Sequence, residues 1–178
     1  ISIAALVMTV ATTSTLAAQR IDYDLDDDGL IEIEDLQDLN EIRNNTTPDS
    51  NELRGETLYS VNDGCPAAGG TGYELVNDLN FDTNGNDVFD EGDSYWNEGK
   101  GWNPIGSGGP KYVSEFNGNG HTLHNLTIRR PGDHFVGLFS FSESAHLHDF
   151  KLTADIVTGG NSGGVMGYGW QTTFENIN

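Results

Sequence analysis

The sequence predicts a mainly β fold of the solenoid type, in which successive coils of the chain stack on one another. The first observation is a repeat: GLFSFSESAHLHDF (137–150) aligns without gaps with GVMGYGWQTTFENI (164–177), at a spacing of 27 residues. The second is that the repeats consist of short strand-like runs separated by glycine. A repeat period in the twenties with such runs is typical of coils that stack around one continuous apolar core.

Each repeat unit closes with a similar four-residue motif. LHDF (147–150) and FENI (174–177) share the order apolar, any residue, Asn or Asp, apolar, and LHNL (123–126) has the same order earlier in the chain. Short polar side chains can hydrogen-bond nearby backbone groups, so the third residue of each motif is expected at a recurrent bend. These residues are Asn125, Asp149 and Asn176. A β-sandwich is the alternative fold, but it does not explain the repeat register.

The composition narrows the class of binding partner. Of 178 residues, 28 are acidic and 8 are basic, which gives a formal net charge of −20. Such a charge repels phosphate groups, so neither nucleic acid nor an anionic membrane surface is expected as a partner. Divalent cations are the natural counter-ions for this chain.

A first acidic segment, DYDLDDDGLIEIED (22–35), contains eight carboxylates and matches a twelve-residue calcium loop. With Gly29 at the sixth position, where a sharp turn is required, each ligand position carries a suitable oxygen. The predicted Ca²⁺ ligands are Asp24, Asp26, Asp28, Leu30 through its carbonyl, Glu32 and Asp35. The alternative is a solvated acidic turn without an ion, which does not explain the glycine and the spaced last carboxylate together.

A short helix is predicted directly after this loop. Leu36, Leu39 and Ile42 recur at helical spacing, and acidic residues stand in the first turn, where the helix dipole favours them. We therefore expect a helix over residues 34–44 that caps the N-terminal end of the solenoid. No helical pattern precedes the loop, so the segment is half of an EF-hand, as in dockerin-like loops.

A second acidic segment, DTNGNDVFDEGD (82–93), repeats the calcium-loop spacing less faithfully. Its candidate ligands are Asp82, Asn84, Asn86, Val88 through its carbonyl, Asp90 and Asp93. Asp87 replaces the glycine at the sixth position, but Asp tolerates a left-handed backbone better than most residues, so the turn can still form. The alternative is an Asx-rich surface loop that needs no ion.

The first eighteen residues predict export from the cytoplasm. They are uncharged and end in small residues, as the apolar core and cleavage region of a secretory signal peptide do. Several threonines and serines make the segment a poor membrane span, so no membrane insertion of the mature chain is expected. No Met and no basic residues precede the apolar run, so we expect this signal to be truncated at its start. A buried helix of the mature domain is the alternative.

Three phrases carry a resemblance to a known family: WNPIG (102–106), FNGNGHTLHNLTI (116–128) and VGLFS with GGVMGY (136–168). Over residues 22–178 the chain resembles the GLUG-repeat proteins. These are large secreted or surface-anchored bacterial proteins, whose repeats are similar to those preceding the catalytic region of immunoglobulin-A-specific metallopeptidases. The resemblance implies a parallel β-helix-like solenoid, a role in surface architecture or adhesion, and no established catalytic residues.

The chain departs from the family pattern at three positions. Ser140 stands where a motif glycine is expected, Val165 replaces the usual leucine, and Gly70 occupies a position where relatives often carry a second cysteine. Cys65 therefore has no partner cysteine in this chain. It is either a free buried thiol or available to another chain.

The sequence indicates no catalytic residues. The zinc-peptidase motif HExxH is absent, and the basic residues do not recur at the repeat spacing, as lining one face of a lyase would require. His121 and His124 are three apart and point to opposite faces of a strand. His146 and His148 share a face and could bind a metal weakly, although ordinary surface histidines are the favoured interpretation.

We therefore expect four regions. They are a signal peptide (1–18), a calcium loop with a capping helix (19–45), an irregular strand-containing segment with the second acidic loop (46–115), and GLUG-type repeats (116–178), incomplete at the C-terminus. The expected function is a non-catalytic, calcium-stabilised secreted or cell-surface module for adhesion or spacing. Host or matrix glycans or proteins are its conceivable partners, and further repeats or domains are expected downstream. The alternative is a carbohydrate-binding or polysaccharide-degrading module of a larger enzyme.

Overall fold

The computed structural model describes residues 23–45, 52–53 and 70–178 of the chain. The predicted signal peptide and Cys65 lie outside these residues. Within the described residues the fold is mainly β, as predicted, with eleven strands and one short α-helix. In chain order the elements are β1 (Leu30–Ile33), α1 (Leu36–Glu41), β2 (Glu52–Leu53), β3 (Gly72–Leu75), β4 (Leu79–Asn80), β5 (Lys111–Tyr112), β6 (Glu115–Asn117), β7 (Thr122–Arg130), β8 (Phe139–Glu143), β9 (His146–Thr158), β10 (Met166–Trp170) and β11 (Thr173–Ile177).

The strands form two sheets, and within each sheet all the paired strands are parallel. The larger sheet has the order β1-β3-β6-β9-β7-β4, with β11 also paired to β9, and the smaller has the order β10-β8-β5-β2. The start of β9 pairs with β6 and β11, whereas from Lys151 onward β9 pairs with β7. The long strand β9 therefore joins two arms of one sheet. We call the arm made of β1, β3, β6, β11 and the start of β9 the first arm.

Side chains of the first arm alternate between a buried row that faces the core and an outer row on the opposite face of the sheet, as the pleat of a strand requires. In β1 and β3 the residues of the outer row are buried as well. In the buried row, Ile31, Tyr73, Phe116 and Leu147 lie in register on four neighbouring strands and are almost inaccessible to solvent. The outer row is polar. Its members, also in register, are Glu32, Glu74, Asn117, His148 and Glu175.

The sequence repeat corresponds to strand pairing in the structure. Phe139 of β8 pairs with Met166 of β10, and Leu147 of β9 pairs with Phe174 of β11. Both pairs have the separation of 27 positions that also joins Asp149 to Asn176. Residues that align in the repeat are therefore direct neighbours across two strand pairs.

The three residues expected at bends all have a left-handed backbone. Their φ angles are 61° at Asn125, 58° at Asp149 and 50° at Asn176. Asn tolerates this conformation better than most residues, and Asp shares the tolerance, which explains the residue types at these positions.

The earliest motif, LHNL (123–126), occupies a different part of the sheet from the other two. The residue opposite Leu147 is Phe116, whereas Leu123 pairs with Leu152 in the other arm. An irregularity in this pairing falls between Leu123 and Leu126. The alignment of all three motifs in one stack is therefore wrong, because the first motif pairs in a different arm of the sheet from the other two.

The predicted helix is present as α1, which continues into a 3-10 turn at Ile42–Asn44. The Asp35 carboxylate caps its N-terminus by accepting hydrogen bonds from the backbone N–H groups of Gln37 (2.7 Å) and Asp38 (3.0 Å). The apolar residues that predicted the helix, Leu36, Leu39 and Ile42, are all buried in the core.

Aromatic side chains fill much of the core between the sheets. Tyr112 and Phe139 pack with ring centroids 4.6 Å apart, and Phe116 meets Phe139 edge to face at 5.4 Å. Trp102 is fully buried, donates its indole N–H to the Leu138 carbonyl and lies beneath the Arg43 guanidinium. In the described part of the chain, no helix has the length and apolar character needed to cross a membrane.

Candidate metal centre

The first acidic loop closes through hydrogen bonds from backbone amides to its own carboxylates. The N–H of Gly29 donates to Asp24 Oδ2 (3.1 Å), that of Asp28 to Asp26 Oδ1 (3.2 Å), and that of Leu30 to Asp28 Oδ1 (2.7 Å). Gly29 has a φ of 94°, in the left-handed region that glycine adopts without a Cβ clash. These bonds curl the chain so that alternate side chains converge.

The structure brings four of the predicted ligand side chains together and adds a fifth. Donor atoms of Asp24, Asp26 and Glu32 lie within 4.8 Å of one another, and so do those of Asp26, Asp28 and Glu74. Glu74 comes from β3, where it is the register partner of Glu32 on β1. The two groups share Asp26 and therefore form one continuous set of carboxylates.

Three of these carboxylates are buried. Asp24 is 1%, Glu32 3% and Glu74 5% exposed to solvent, whereas Asp26 and Asp28 lie on the surface. Burial raises the pKa of Asp24, and repulsion from Asp28 and Asp26 adds to it against the lowering effect of the Gly29 N–H. The site is thus acidic, crowded and partly shielded from water.

The pKa of Glu74 is raised in a similar way to that of Asp24. Burial raises its pKa, its hydrogen bond from the Asn119 amide lowers it, and the charges of Asp28, Asp26 and Glu32 raise it further. Sequence spacing could not find this residue, because it reaches the loop only through the parallel pairing of β1 with β3. The available signal was an acidic residue inside the strand-like run GYEL (72–75).

The other two predicted ligands are Leu30, through its backbone carbonyl, and Asp35. Leu30 begins β1 with its side chain buried and its N–H bound to Asp28. Asp35 lies at the N-cap of α1 and belongs to neither carboxylate group. Its carboxylate caps the helix instead.

The second acidic loop has the same backbone fold as the first. The N–H of Asp87 donates to Asp82 Oδ2 (2.9 Å), that of Asn86 to Asn84 Oδ1 (3.0 Å), and that of Val88 to Asn86 Oδ1 (2.8 Å). These bonds join the same relative positions as the three in the first loop. Asp87, with a φ of 61°, adopts the left-handed backbone that Gly29 adopts there.

The side chains of the second loop are arranged differently. Asp90 accepts hydrogen bonds from the side-chain amides of Asn84 (2.9 Å) and Asn86 (2.8 Å), and the buried Asp93 accepts from the backbone of Thr83 and Asp90. The Asn86 amide, followed by the Gly92 N–H, lowers the pKa of Asp90. In this loop, therefore, the side-chain amides of Asn84 and Asn86 donate the hydrogen bonds that the Asp90 carboxylate accepts. The three-carboxylate groups of the first loop have no counterpart here among the described residues.

Comparison with known proteins gives one partial similarity. Over 89 residues the chain is 35% identical to halomucin from Haloquadratum walsbyi (strain DSM 16790 / HBSQ001). The matched segment covers 48% of this chain but only 1% of halomucin. No family model matches the chain, and no solved structure matches it.

Proposed function

We propose that this chain is a calcium-stabilised β-solenoid module of a secreted or cell-surface protein, which serves adhesion or spacing and carries out no catalysis. The observation that carries the proposal is the pair Glu32 and Glu74, two buried carboxylates on neighbouring strands beneath a loop that adds Asp24 and Asp26. Glycans or proteins of a host or matrix are the partners that this role implies.

Calcium suits this donor set because it prefers six to eight oxygen ligands at about 2.3–2.6 Å in a flexible arrangement. Carboxylates that repel one another in the absence of an ion would then become ligands, and the binding free energy would add to the folding free energy. The second loop offers amide and carboxylate oxygens on the same backbone fold, and we propose it as a weaker calcium site.

Parallel pairing at the repeat spacing supports the solenoid part of the proposal. Successive segments of the chain pair in parallel, and both C-terminal strand pairs follow the same repeat spacing. Helix α1 follows β1, which stands at the end of the larger sheet. The apolar side chains of α1 enter the core at this end, as expected of a cap that shields an open solenoid end.

Export is part of the proposal. The apolar, uncharged segment 1–18 has the composition of a secretory signal. Extracellular fluids hold calcium at concentrations that suit weak loops, with dissociation constants of about 10⁻⁴ to 10⁻³ M.

A second candidate function, carbohydrate binding, is favoured by one cleft. It has a volume of about 470 Å³ and lies between the second acidic loop and strands β7 and β9. Phe89 lies on one side with the Arg129 guanidinium 5.3 Å from its ring, and Asn125 and Asp155 add polar groups. An aromatic face beside such groups is the chemistry that binds sugars. Titration of neutral oligosaccharides against the chain and against Phe89→Ala would test this candidate.

The main proposal is tested by thermal melts and calorimetry with calcium and with a chelator. We expect about 5 mM calcium to stabilise the chain by about 1–2 kcal/mol. Asp28→Ala, at an exposed ligand position, should lose most of this response, whereas Asp133→Ala, an exposed carboxylate outside both loops, should keep it. A folded chain with no heat of calcium binding and the same melt in chelator would refute calcium stabilisation.

A further inference from the structure

A separate cluster of metal-ligand side chains lies on the outer face of the first arm. Glu115 of β6 is the register partner of His146 of β9, and His148 follows two positions later on the same strand face. One donor atom from each of the three residues lies within 4.8 Å of the others. The two imidazole rings stack, with centroids 4.2 Å apart and planes inclined by 23°.

Both ring nitrogens of His148 face carboxylates. Its Nδ1 lies 2.7 Å from Asp149 Oδ2, and its Nε2 lies 2.9 Å from Glu115 Oε1. A carboxylate only accepts hydrogen bonds, so both contacts together require protons on both nitrogens. The His148 ring is therefore held in place between the two carboxylates.

The contact with Asp149 also fits an imidazole that binds a metal. Metal-ligating histidines almost always donate their second N–H to a carboxylate, carbonyl or water, which fixes the ring orientation and increases the basicity of the ligand nitrogen. Asp149 would keep the proton on Nδ1, and a metal at Nε2 would replace the second proton. Asp149 is itself held by the Asn176 amide at 2.8 Å, so the orienting group is fixed in place.

We propose that Glu115, His146 and His148 form a binding site for a divalent transition metal such as Zn²⁺. Two imidazoles and one carboxylate suit zinc, nickel and copper, whereas calcium prefers oxygen ligands alone. Glu175 Oε2 lies 3.8 Å from His146 Nε2 and can supply a fourth ligand, which would complete the tetrahedral arrangement that zinc favours. The site is thus chemically distinct from both acidic loops and does not depend on calcium binding there.

The test is titration of the chain with zinc chloride in excess calcium, which competes with zinc for the acidic loops. We expect one zinc ion per chain, and we expect His146→Ala and His148→Ala each to weaken binding by at least tenfold. The matched control is His121→Ala, because His121 also contacts a carboxylate, Asp78 at 3.0 Å, but lies outside the cluster. It should bind zinc as the wild type does.

Cobalt(II) provides a second readout, because a four-coordinate site with imidazole ligands gives strong visible absorption bands. These bands should be lost in His146→Ala, whose side chain is 43% exposed and can be removed without disturbing the core. If His148→Ala proves unstable, His146→Ala and Glu115→Gln still decide the question. Equal zinc affinity in His146→Ala and wild type, or no zinc binding at all, would overturn the proposal.

Discussion

Asn176 donates a hydrogen bond through its side-chain amide to Asp149 Oδ1 at 2.8 Å, joining two residues that the repeat places 27 positions apart. Both residues have a left-handed backbone, with φ angles of 50° and 58°. The repeat therefore aligns two residues of left-handed backbone as well as two strands, and these two residues also contact each other through their side chains.

Asn176→Ala should destabilise the chain. The substitution removes the hydrogen bond to Asp149 and leaves a residue that tolerates the left-handed backbone less well than Asn does, at a cost of about 1 kcal/mol. Denaturant unfolding would measure the change. Asn161→Ala serves as the control, because Asn161 is exposed and has no left-handed backbone, and it should change stability by less than about 0.5 kcal/mol. Equal effects of the two substitutions would contradict a structural role for Asn176.

Phe139→Ala should destabilise the chain by about 3–5 kcal/mol, because it leaves a cavity where the ring packs against Tyr112 and Phe116. Phe174 is the matched control. It is also a strand phenylalanine of the repeats, but it is 50% exposed where Phe139 is fully buried. Phe174→Ala should therefore cost about 1 kcal/mol or less. Similar losses from both substitutions in chemical denaturation would show that the core does not lie where the sheets place it.

Glu74→Gln should stabilise the chain in chelator at pH 7.5 and weaken its response to calcium. Without an ion, the neutral amide relieves repulsion from Asp26, Asp28 and Glu32 and still accepts the hydrogen bond from Asn119. With calcium, the variant lacks one charged ligand. Glu74→Gln should therefore melt at a higher temperature than the wild type in chelator and at a lower temperature than the wild type in calcium. The same order in both conditions would remove Glu74 from the site.

The stability difference in chelator should also depend on pH. The folded-state pKa of Glu74 is raised above the ordinary value of 4.5. Stability from such a group is fully present below its unfolded pKa and is lost as the pH rises through its folded pKa. Wild type and Glu74→Gln should therefore be similar near pH 4 and diverge toward pH 7.5, with the wild type less stable. A difference that does not change with pH would contradict this origin.

Asp87→Gly should strengthen calcium binding at the second loop. Asp87 has a φ of 61°, which glycine adopts without steric cost, and its N–H already donates to Asp82 as that of Gly29 does to Asp24. The substitution keeps that hydrogen bond and restores the usual turn residue of a calcium loop. Calorimetry should show tighter calcium binding than in the wild type. Asp133→Gly also replaces an exposed aspartate with glycine, but at a position without a left-handed backbone, and should leave calcium binding unchanged.

Local patterns predicted the parts of the molecule that depend on neighbouring residues. The spacing of Leu36, Leu39 and Ile42 predicted α1, and the gapless repeat predicted which residues of β8 and β10 pair. In both cases the physical cause is a short-range periodicity, of a helix turn or of one repeat unit. For the same reason, the spacing of the acidic residues around Gly29 predicted which carboxylates of the first acidic loop lie close together.

Contacts between distant segments could not be predicted in this way. Glu74 meets the first acidic loop because β3 pairs in parallel with β1, and no spacing within the loop encodes that pairing. Glu115 meets His148 because β6 lies beside β9. Where the segments do not follow one repeat spacing, the pairing of their strands depends on loop lengths and core packing. These are seen only in the folded structure.

The repeat spacing has a mechanical consequence. A pull on the C-terminal end would first detach β11 and then β10, because each is held at the edge of its sheet by pairing with a strand 27 positions earlier. Release of one such unit would lengthen the chain by roughly 90 Å when fully extended. Later steps in a single-molecule force experiment would be longer, because Leu147 pairs with a residue 31 positions earlier and Phe116 with one 43 positions earlier. Unfolding from this end would therefore occur in separate steps and not in a single event.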